Sequence, residues 1–366
     1  MPHADRPSTD VPRLAVQVTH RPPAPVLRYI DQVVGSQSDI EFRCSRGVLT
    51  RFDVDVLHVA DAALDSLLGA RGTGGLQRLL STLALIRNLR RHRIALVRMI
   101  HRSDKSPGPR RADMLARRLL DRATSRFVVT DDATPTPDPA RTTVIPHPHY
   151  RDRFLGFPRG ELTPGRVLCV SPGHLPDSVR SVLGAARVAQ TPGVELRLAG
   201  LLSSELEAHV RSALARRSPT LSTRVELLSD GAQVQEIQAA ELVAVPRVET
   251  YEDEQRVFLA LSLDRPVIVP LNDTTAALTR TVGPGWVHLS EGPITAASLD
   301  AAFASLRRDR RTTGPDLEGR DLAVVHSAYA DVFASAALSL RSQEEAVLHS
   351  MGEGSRSGKK LEKDAS

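Results

Sequence analysis

Residues 253–270, DEQRVFLALSLDRPVIVP, decide the fold class of this chain. The first half of the stretch predicts a helix over residues 255–263, and it places Val257 and Leu261 on one side, along which the helix would be buried. Residues 264–266, Asp-Arg-Pro, then end the helix, because the residue before a proline disfavours the α region. The β-branched run at residues 267–269 is typical of a fully buried parallel strand. The stretch is therefore half of an α/β unit.

A polar cluster stands at the start of the same predicted helix, at residues 252–255, Glu-Asp-Glu-Gln. In open α/β sheets, ligands lie beyond the carboxyl ends of the strands and at helix N-termini. We therefore expect Asp253, Glu254 and Gln255 to border a ligand site. Acidic residues also cap helix N-termini, where the helix dipole favours them, so a purely structural role for this cluster stays open.

The same alternation of strands and helices runs along the chain and is interrupted once. Apolar runs that predict strands recur up to the polar, proline-containing segment at residues 151–164, and the pattern restarts at residue 167. A chain of 366 residues is too long for one ordinary core, and it suits two domains of about 150 residues each. Because helical segments separate the strands, each domain is expected to hold a doubly wound parallel sheet.

Three segments carry a resemblance to a known family. They are ALSLDRPVIVP at residues 260–270, GPGWVHL at 283–289 and VIPHPHYRDRF at 144–154. Together they resemble the GT-B glycosyltransferases, and within that group the bacterial exopolysaccharide and glycolipid (mannosyl)transferases related to family 4. The resemblance covers residues 12–340.

This resemblance implies an α/β protein of GT-B architecture, in which two Rossmann-like doubly wound domains face a cleft. The expected segments are a disordered lead at 1–12, an N-terminal acceptor domain at 13–155, a C-terminal donor domain at 165–320, a helix crossing back to the first domain at 321–345, and a disordered tail at 351–366.

The implied reaction moves a hexose from a nucleotide-diphosphate sugar to a glycolipid or polysaccharide acceptor, in exopolysaccharide biosynthesis. The nucleotide sugar is a substrate, and no cofactor or metal is expected, since protein cations and helix dipoles hold the diphosphate in such enzymes. Some positions depart from the family's pattern, because Tyr251 and Leu259 stand where many of its members have paired glutamates. The alternative is therefore a non-catalytic GT-B homologue, which acts as the partner or regulator of an active transferase or as a glycan-binding module.

On the acceptor side, the resemblance points to histidines. His101 follows the predicted strand at residues 94–100, and its imidazole titrates near neutral pH, so it is the candidate catalytic base. Arg102 beside it, His20 in the loop after the first predicted strand, and His149 in the third matching segment are the expected acceptor-binding residues. A loop histidine with a structural hydrogen bond is the alternative for His101.

On the donor side, the segment after the predicted strand at residues 167–170 resembles a glycine-containing loop that grips the diphosphate of the sugar nucleotide. Gly173 and His174 are expected to bind it there, through a backbone amide and a partial positive charge. Asp177 has the wrong sign for a phosphate clamp, and we expect it to cap the helix that follows.

Positive charge is concentrated in the first half of the chain. Residues 75–130 hold fourteen Lys and Arg against three Asp, a net charge of +11, which leaves −6 for the rest of a chain whose net charge is +5. One interpretation is contact with an anionic inner-membrane surface, which suits a lipid-linked acceptor. Nucleic acid is not expected, because the segment has almost no aromatic residues for stacking on bases. Arginine-rich, solvated helix faces are the alternative.

The remaining composition bounds the cellular setting. Cys44 and Cys169 lie in unrelated segments and imply neither a disulfide framework nor a zinc site. The first residues hold no apolar signal-peptide core, and no run approaches the roughly eighteen apolar residues of a membrane span. We therefore expect a cytoplasmic protein, peripheral on the inner face of the cell membrane.

Overall fold

The computed structural model describes residues 13–19, 29–35, 37, 39–45, 53–61, 64, 68, 75–101, 111–157, 160–170, 176–215, 220–308 and 313–363. Within these residues the chain forms two six-stranded sheets, and every strand pair in them is parallel. Each sheet is built from one continuous part of the chain, as the single interruption in the sequence pattern predicts.

The first sheet has the strand order β2-β1-β3-β4-β5-β6. Its strands are β1 (Leu14–Thr19), β2 (Ile40–Ser45), β3 (Val56–Ala60), β4 (Ala95–Met99), β5 (Arg126–Val129) and β6 (Thr142–Val144). Its helices are α1 (Tyr29–Val33), α2 (Gly75–His92) and α3 (Arg111–Ala123), and two short 3-10 helices follow at Pro139–Arg141 and Asp152–Phe154. All five residues of β4 are buried, as expected for a strand that is covered on both faces.

The second sheet has the order β12-β11-β10-β7-β8-β9. Its strands are β7 (Arg166–Val170), β8 (Glu195–Ala199), β9 (Leu221–Arg224), β10 (Leu242–Ala244), β11 (Val267–Pro270) and β12 (Val287–Ser290). The helices are α4 (Pro176–Val188), α5 (Ser204–Ala215), α6 (Asp230–Ala239), α7 (Tyr251–Ser262), α8 (Asp273–Thr281) and α9 (Ala296–Arg308). The stretch that predicts the fold forms α7 and β11, and these pack in one buried cluster with Trp286.

The last helix, α10 (Leu322–Lys363), returns to the first sheet. Its inward face carries Tyr329 and Phe333, which pack in one cluster with Val16 of β1 and Val97 of β4. The opposite face of the sheet packs against α2 and α3. The predicted architecture of two Rossmann-like domains with a helix that crosses back to the first domain is confirmed.

The first part of α10, Leu322–Ser342, is long and apolar enough to cross a membrane by length and composition alone, although the sequence led us to expect no such segment. A third of this window is buried inside the protein, and its inward face covers the first sheet. The buried apolar residues of this segment therefore complete the core of the first domain. The helix also continues to Lys363, where a disordered tail was expected from residue 351.

Two element boundaries differ from the sequence prediction for identifiable reasons. The helix α7 begins at Tyr251 and not at residue 255, because Thr250 supplies an N-cap that closes with Asp253. The apolar residues at 225, 227 and 228 predict a strand over residues 225–228, and this prediction is wrong, since β9 lies at Leu221–Arg224. Its register on β8, with Leu196 opposite Leu221, leaves Val225 beyond the strand and exposed.

Candidate active site

The carboxyl ends of the two sheets face each other across a cavity of about 580 Å³, which is a volume typical of small-molecule sites. Thr130 and Asp131, which follow β5, line it on the side of the first sheet, and Glu254 and Asp273, from the first turns of α7 and α8, line it on the other side. Strand ends and helix N-termini meet there because each parallel strand runs into the helix that follows it. The cavity is therefore built by both domains.

Asp253 is directed back into its own helix. Its carboxylate accepts hydrogen bonds from the backbone nitrogens of Thr250 and Glu249, at 3.1 and 3.2 Å. It also pairs with Arg247 and Arg256, at 3.3 and 2.7 Å. The side chain is 1% exposed. These contacts fit the capping role that the sequence left open for this acid.

Glu254, the next residue, faces the first domain. Its Oε1 accepts a hydrogen bond of 3.1 Å from the hydroxyl of Thr130. Burial raises the pKa of Glu254 to about 8, and the nearby charge of Asp131 acts in the same direction, while the hydrogen bond from Thr130 and the positive charge of Arg320 lower it. The carboxyl group therefore exchanges its proton close to neutral pH.

Two arginines at this cavity were not identified from the sequence. Arg280 lies in the last turn of α8, and Arg320 lies two residues before α10. The guanidinium of Arg320 stacks over the ring of Phe258 at 4.4 Å, and it donates a hydrogen bond of 3.0 Å to the carbonyl oxygen of His147. A planar cation held in this way is suited to phosphate or carboxylate groups. No motif marks either arginine, whereas Asp131 could have been found from its position directly after a predicted strand.

An aromatic cluster at the cavity contacts the predicted base, His101. His147 stacks on Phe258 at 5.1 Å and packs on Tyr251 at 4.5 Å. Its Nδ1 donates to the carbonyl oxygen of Pro148 at 3.0 Å, and burial lowers the pKa of His147 to about 3. His101 is buried, and its ring lies edge-on to Tyr251 at 5.2 Å.

His149 and Gln255 lie towards a second cavity of about 310 Å³. His149 Nε2 is 3.0 Å from Asp321 Oδ1, and the residue lines this second cavity together with Tyr150. Gln255 is buried, and its side chain is hydrogen-bonded to the Tyr150 hydroxyl. The amide nitrogen of Gln32 also contacts that hydroxyl. The structure therefore brings Glu254 to the first cavity and His149 to the second.

The other predicted site residues, His20, Arg102, Gly173 and His174, lie outside the described residues. In the described part of the chain, no group of three or more His, Cys, Asp or Glu side chains could hold a metal ion. The charged groups at the larger cavity are carboxylates and guanidinium groups of the protein itself.

Comparison with known proteins identifies relatives that match most of the chain. No protein-family profile matches the sequence. A GDP-mannose:glycolipid 4-beta-D-mannosyltransferase of Xanthomonas campestris pv. campestris (strain ATCC 33913) is 30% identical over 318 residues, which are 85% of this chain and 89% of the relative. A second protein of that name from the same pathovar is 28% identical over 317 residues, with the same coverage of both chains.

Solved structures agree on the fold. The crystal structure of Anabaena HepE in complex with UDP has a TM-score of 0.55 and 14% identity, and the match covers 92% of this chain and all of that one. The apo form of WaaB, a lipopolysaccharide outer core galactosyltransferase, has a TM-score of 0.50 and 10% identity, over 89% of this chain and 99% of that one. The expected GT-B fold and glycosyltransferase class are both confirmed. This chain belongs to the family of the GDP-mannose:glycolipid 4-beta-D-mannosyltransferases.

Proposed function

We propose that this protein transfers mannose from GDP-mannose to a hydroxyl group of a membrane glycolipid. The observation that carries the proposal is the relationship to glycolipid mannosyltransferases along 85% of the chain, together with a cavity that both domains line with charged side chains. GDP-mannose holds its sugar through an α-anomeric bond, so a β-mannosyl product requires inversion at the anomeric carbon.

Arg280 and Arg320 supply positive charge for the diphosphate in this proposal. Both line the larger cavity. The hydrogen bond of Arg320 to the His147 carbonyl and its stacking on the Phe258 ring fix the plane of its guanidinium. A fixed cation stabilises the charge that develops on the leaving nucleoside diphosphate. With two such groups, transfer is expected to continue in the presence of a chelator such as EDTA, and loss of activity in EDTA would contradict this role.

The remaining polar residues are proposed to bind either the sugar nucleotide or the acceptor. Asp131 accepts a hydrogen bond of 3.1 Å from Thr274 across the domain boundary, and carboxylates at such a site bind sugar hydroxyls. Gly173 and His174 follow β7 in the sequence, and we keep them as donor-binding candidates. On the acceptor side, the proposed candidates remain His101, Arg102, His20 and His149.

A membrane surface is proposed next to the cleft. The exposed faces of α2 and α3 carry apolar residues, namely Leu76, Leu80, Leu83, Met114 and Leu115. Exposed arginines accompany them on the same two helices, at positions 87, 90, 91, 111, 117, 118 and 122. Apolar side chains flanked by arginines are typical of surfaces that bind anionic lipid interfaces.

The apolar residues lie at the end of the domain that faces the cleft. The helix α3 follows β4 and so begins at the carboxyl edge of the sheet. The helix α2 begins beside it, since a side-chain carbon at Gly75 would lie 3.1 Å from Ala112 Cβ. We infer a cytoplasmic protein that is peripheral on the inner face of the cell membrane, with its acceptor reaching the cleft from the lipid surface.

The test is transfer by the purified full-length protein to a membrane glycolipid extract, with GDP-mannose, UDP-glucose and ADP-glucose as donors. We expect a mannosylated lipid, detected by mass spectrometry, from GDP-mannose alone. Calorimetry with the same three donors is the parallel measurement, because a ligand that binds the folded state alone stabilises it. Binding of GDP-mannose without any transfer would overturn the proposal in favour of the non-catalytic homologue.

A further inference from the structure

Glu254 differs from Asp131, which lines the same cavity, and from its neighbour Asp253 in how its oxygens are used. Asp131 accepts hydrogen bonds from Ala133, Thr134 and Thr274, at 2.8, 3.1 and 3.1 Å. Asp253 is enclosed by its helix cap and two arginines. Glu254 accepts one hydrogen bond, from Thr130 at Oε1, and among the described residues its Oε2 has no hydrogen-bond partner. One oxygen of this carboxylate is therefore free for a ligand in the cavity.

The position of Glu254 is equally specific. Its side chain comes from the domain expected to hold the sugar nucleotide, and it touches Thr130 of the domain expected to hold the acceptor. A sugar that passes from one domain to the other must cross the space between them. The free oxygen of Glu254 lies on that boundary, in the wall of the cavity that contains Arg280 and Arg320.

Transfer to a hydroxyl group creates a proton that must be removed. We propose that Glu254 is the catalytic base that takes this proton from the acceptor, an assignment that rests on the proposed function. In this step the acceptor oxygen forms a bond to the anomeric carbon, and the bond from that carbon to the diphosphate oxygen breaks. The leaving nucleoside diphosphate keeps the electron pair, beside Arg280 and Arg320, and the acceptor proton passes to the Glu254 carboxylate.

The two histidines of the neighbouring aromatic cluster are less suited to this step. His147 stays neutral because burial lowers its pKa to about 3, and its Nδ1 is engaged with Pro148. His101 is buried against Tyr251 and is not among the residues that line the cavity. The charged groups that line the cavity with Glu254 are Asp131, Asp132, Asp273, Arg280 and Arg320, and the charge of Asp253 also acts on its carboxyl. The pKa of about 8 that burial gives Glu254 matches the requirement that a base titrate near the working pH.

The experiment compares wild type, Glu254→Gln and Glu249→Gln, all full-length, with GDP-mannose and the glycolipid extract. Glu249 is an exposed acid five residues earlier whose backbone nitrogen, and not its carboxylate, contacts Asp253, so its variant controls for loss of one negative charge. We expect Glu254→Gln to lose kcat by roughly 100-fold or more and to bind GDP within threefold of wild type. Glu249→Gln should keep wild-type kcat.

The pH profile separates a base from a contact that merely positions the sugar. Wild-type kcat/KM should rise about tenfold per pH unit below pH 8 and level off above it. This rise with pH should be absent from the residual activity of Glu254→Gln. Glu254→Ala should regain activity when formate is added, because a small carboxylate can occupy the vacated space. Melting curves of each variant establish that it is folded.

Three results would overturn the assignment. If wild type is active and the kcat of Glu254→Gln is within threefold of the wild-type value, Glu254 is not the base, and the proposed function still stands. If Glu254→Gln loses GDP binding but its kcat/KM still rises with pH below pH 8, Glu254 is a positioning residue. A wild type that transfers no sugar at any pH would overturn the proposed function together with this assignment.

Discussion

The hydroxyl of Thr130, directly after β5, donates a hydrogen bond of 3.1 Å to Oε1 of Glu254, in the first turn of α7. This contact joins the two domains at their cleft. It also lowers the pKa of Glu254, against the larger effect of burial that raises it. The proton affinity of Glu254 therefore depends on a residue from the opposite domain, and opening of the cleft would change it.

Replacing Thr130 by Val should move the pH dependence of the reaction. The substitution keeps the shape of the side chain and removes the hydroxyl, so the carboxylate form of Glu254 loses a stabilising donor and its pKa rises further. We expect kcat/KM at pH 7 to fall roughly two- to tenfold, as the net worth of one hydrogen bond implies. At pH 9.5, where the group is ionised in both proteins, the two rates should agree. Equal rates at pH 7 would contradict the role of this bond.

The stability of the protein should respond to pH through Glu254. Because burial raises the pKa of its carboxyl from 4.5 to about 8, the folded state binds this proton more tightly than the unfolded state. Its contribution to stability is complete below pH 4.5 and is lost as pH rises through 8. Glu254→Gln removes this dependence, so the variant should gain stability over wild type between pH 6 and 9, on the order of 3 kcal/mol at most.

The measurement is urea unfolding of both proteins across that pH range. The difference between the two curves isolates Glu254 from the other titrating groups, which both proteins share. A difference that stays constant with pH would show that Glu254 keeps an ordinary pKa in the fold.

Sequence reasoning succeeds where one segment fixes its own conformation. Residues 253–270 predict a helix, a turn and a buried strand because periodicity, proline and β-branching each act locally, and the structure forms α7 and β11 there. The helix start was missed by four residues, because Thr250 and Asp253 form a cap with Asp in a position where Glu or Gln is the usual signal.

The site is harder to predict, since its residues come from separate parts of the chain. Thr130, Glu254, Arg280 and Arg320 meet only when the two sheets face each other, and no spacing in the sequence encodes that meeting. The resemblance also predicts that Tyr251 and Leu259 stand where many family members have paired glutamates. Charge for a diphosphate was expected at His174, whereas Arg280 and Arg320 lie elsewhere in the chain and match no motif.

Arg320→Lys should weaken the binding of GDP. Lysine keeps the positive charge but lacks the planar group that stacks over Phe258 at 4.4 Å and donates to the His147 carbonyl, so the cation is no longer held in one orientation. We expect the Kd for GDP to rise about tenfold, the equivalent of about 1.4 kcal/mol. Arg307→Lys is the matched control, because Arg307 is exposed in the last turn of α9. Calorimetry at constant ionic strength gives both values, and an unchanged Kd for Arg320→Lys would remove Arg320 from the donor site.

Specific binding of lipid by the proposed membrane surface can be distinguished from non-specific hydrophobic binding by replacing exposed leucines on α2 and, separately, on the second domain. The double variant Leu76→Ser, Leu80→Ser removes two side chains that are 67% and 59% exposed on α2. Leu201→Ser, Leu227→Ser removes two that are 55% and 62% exposed on the second domain. Both pairs lie outside the core, so both variants should melt like wild type.

We expect wild type to sediment with vesicles that contain phosphatidylglycerol and to remain in solution with vesicles of phosphatidylcholine alone. The α2 variant should bind the anionic vesicles roughly tenfold more weakly, because burial of each leucine contributes about 1.5 kcal/mol or more when it is complete and these side chains are inserted in part. Binding should also fall with salt, since the arginines of α2 and α3 supply an electrostatic part that salt screens. Equal loss in the α2 and second-domain variants would mean that the lipid contact is not specific to the face beside the cleft, and the acceptor would then have to reach Glu254 by another route.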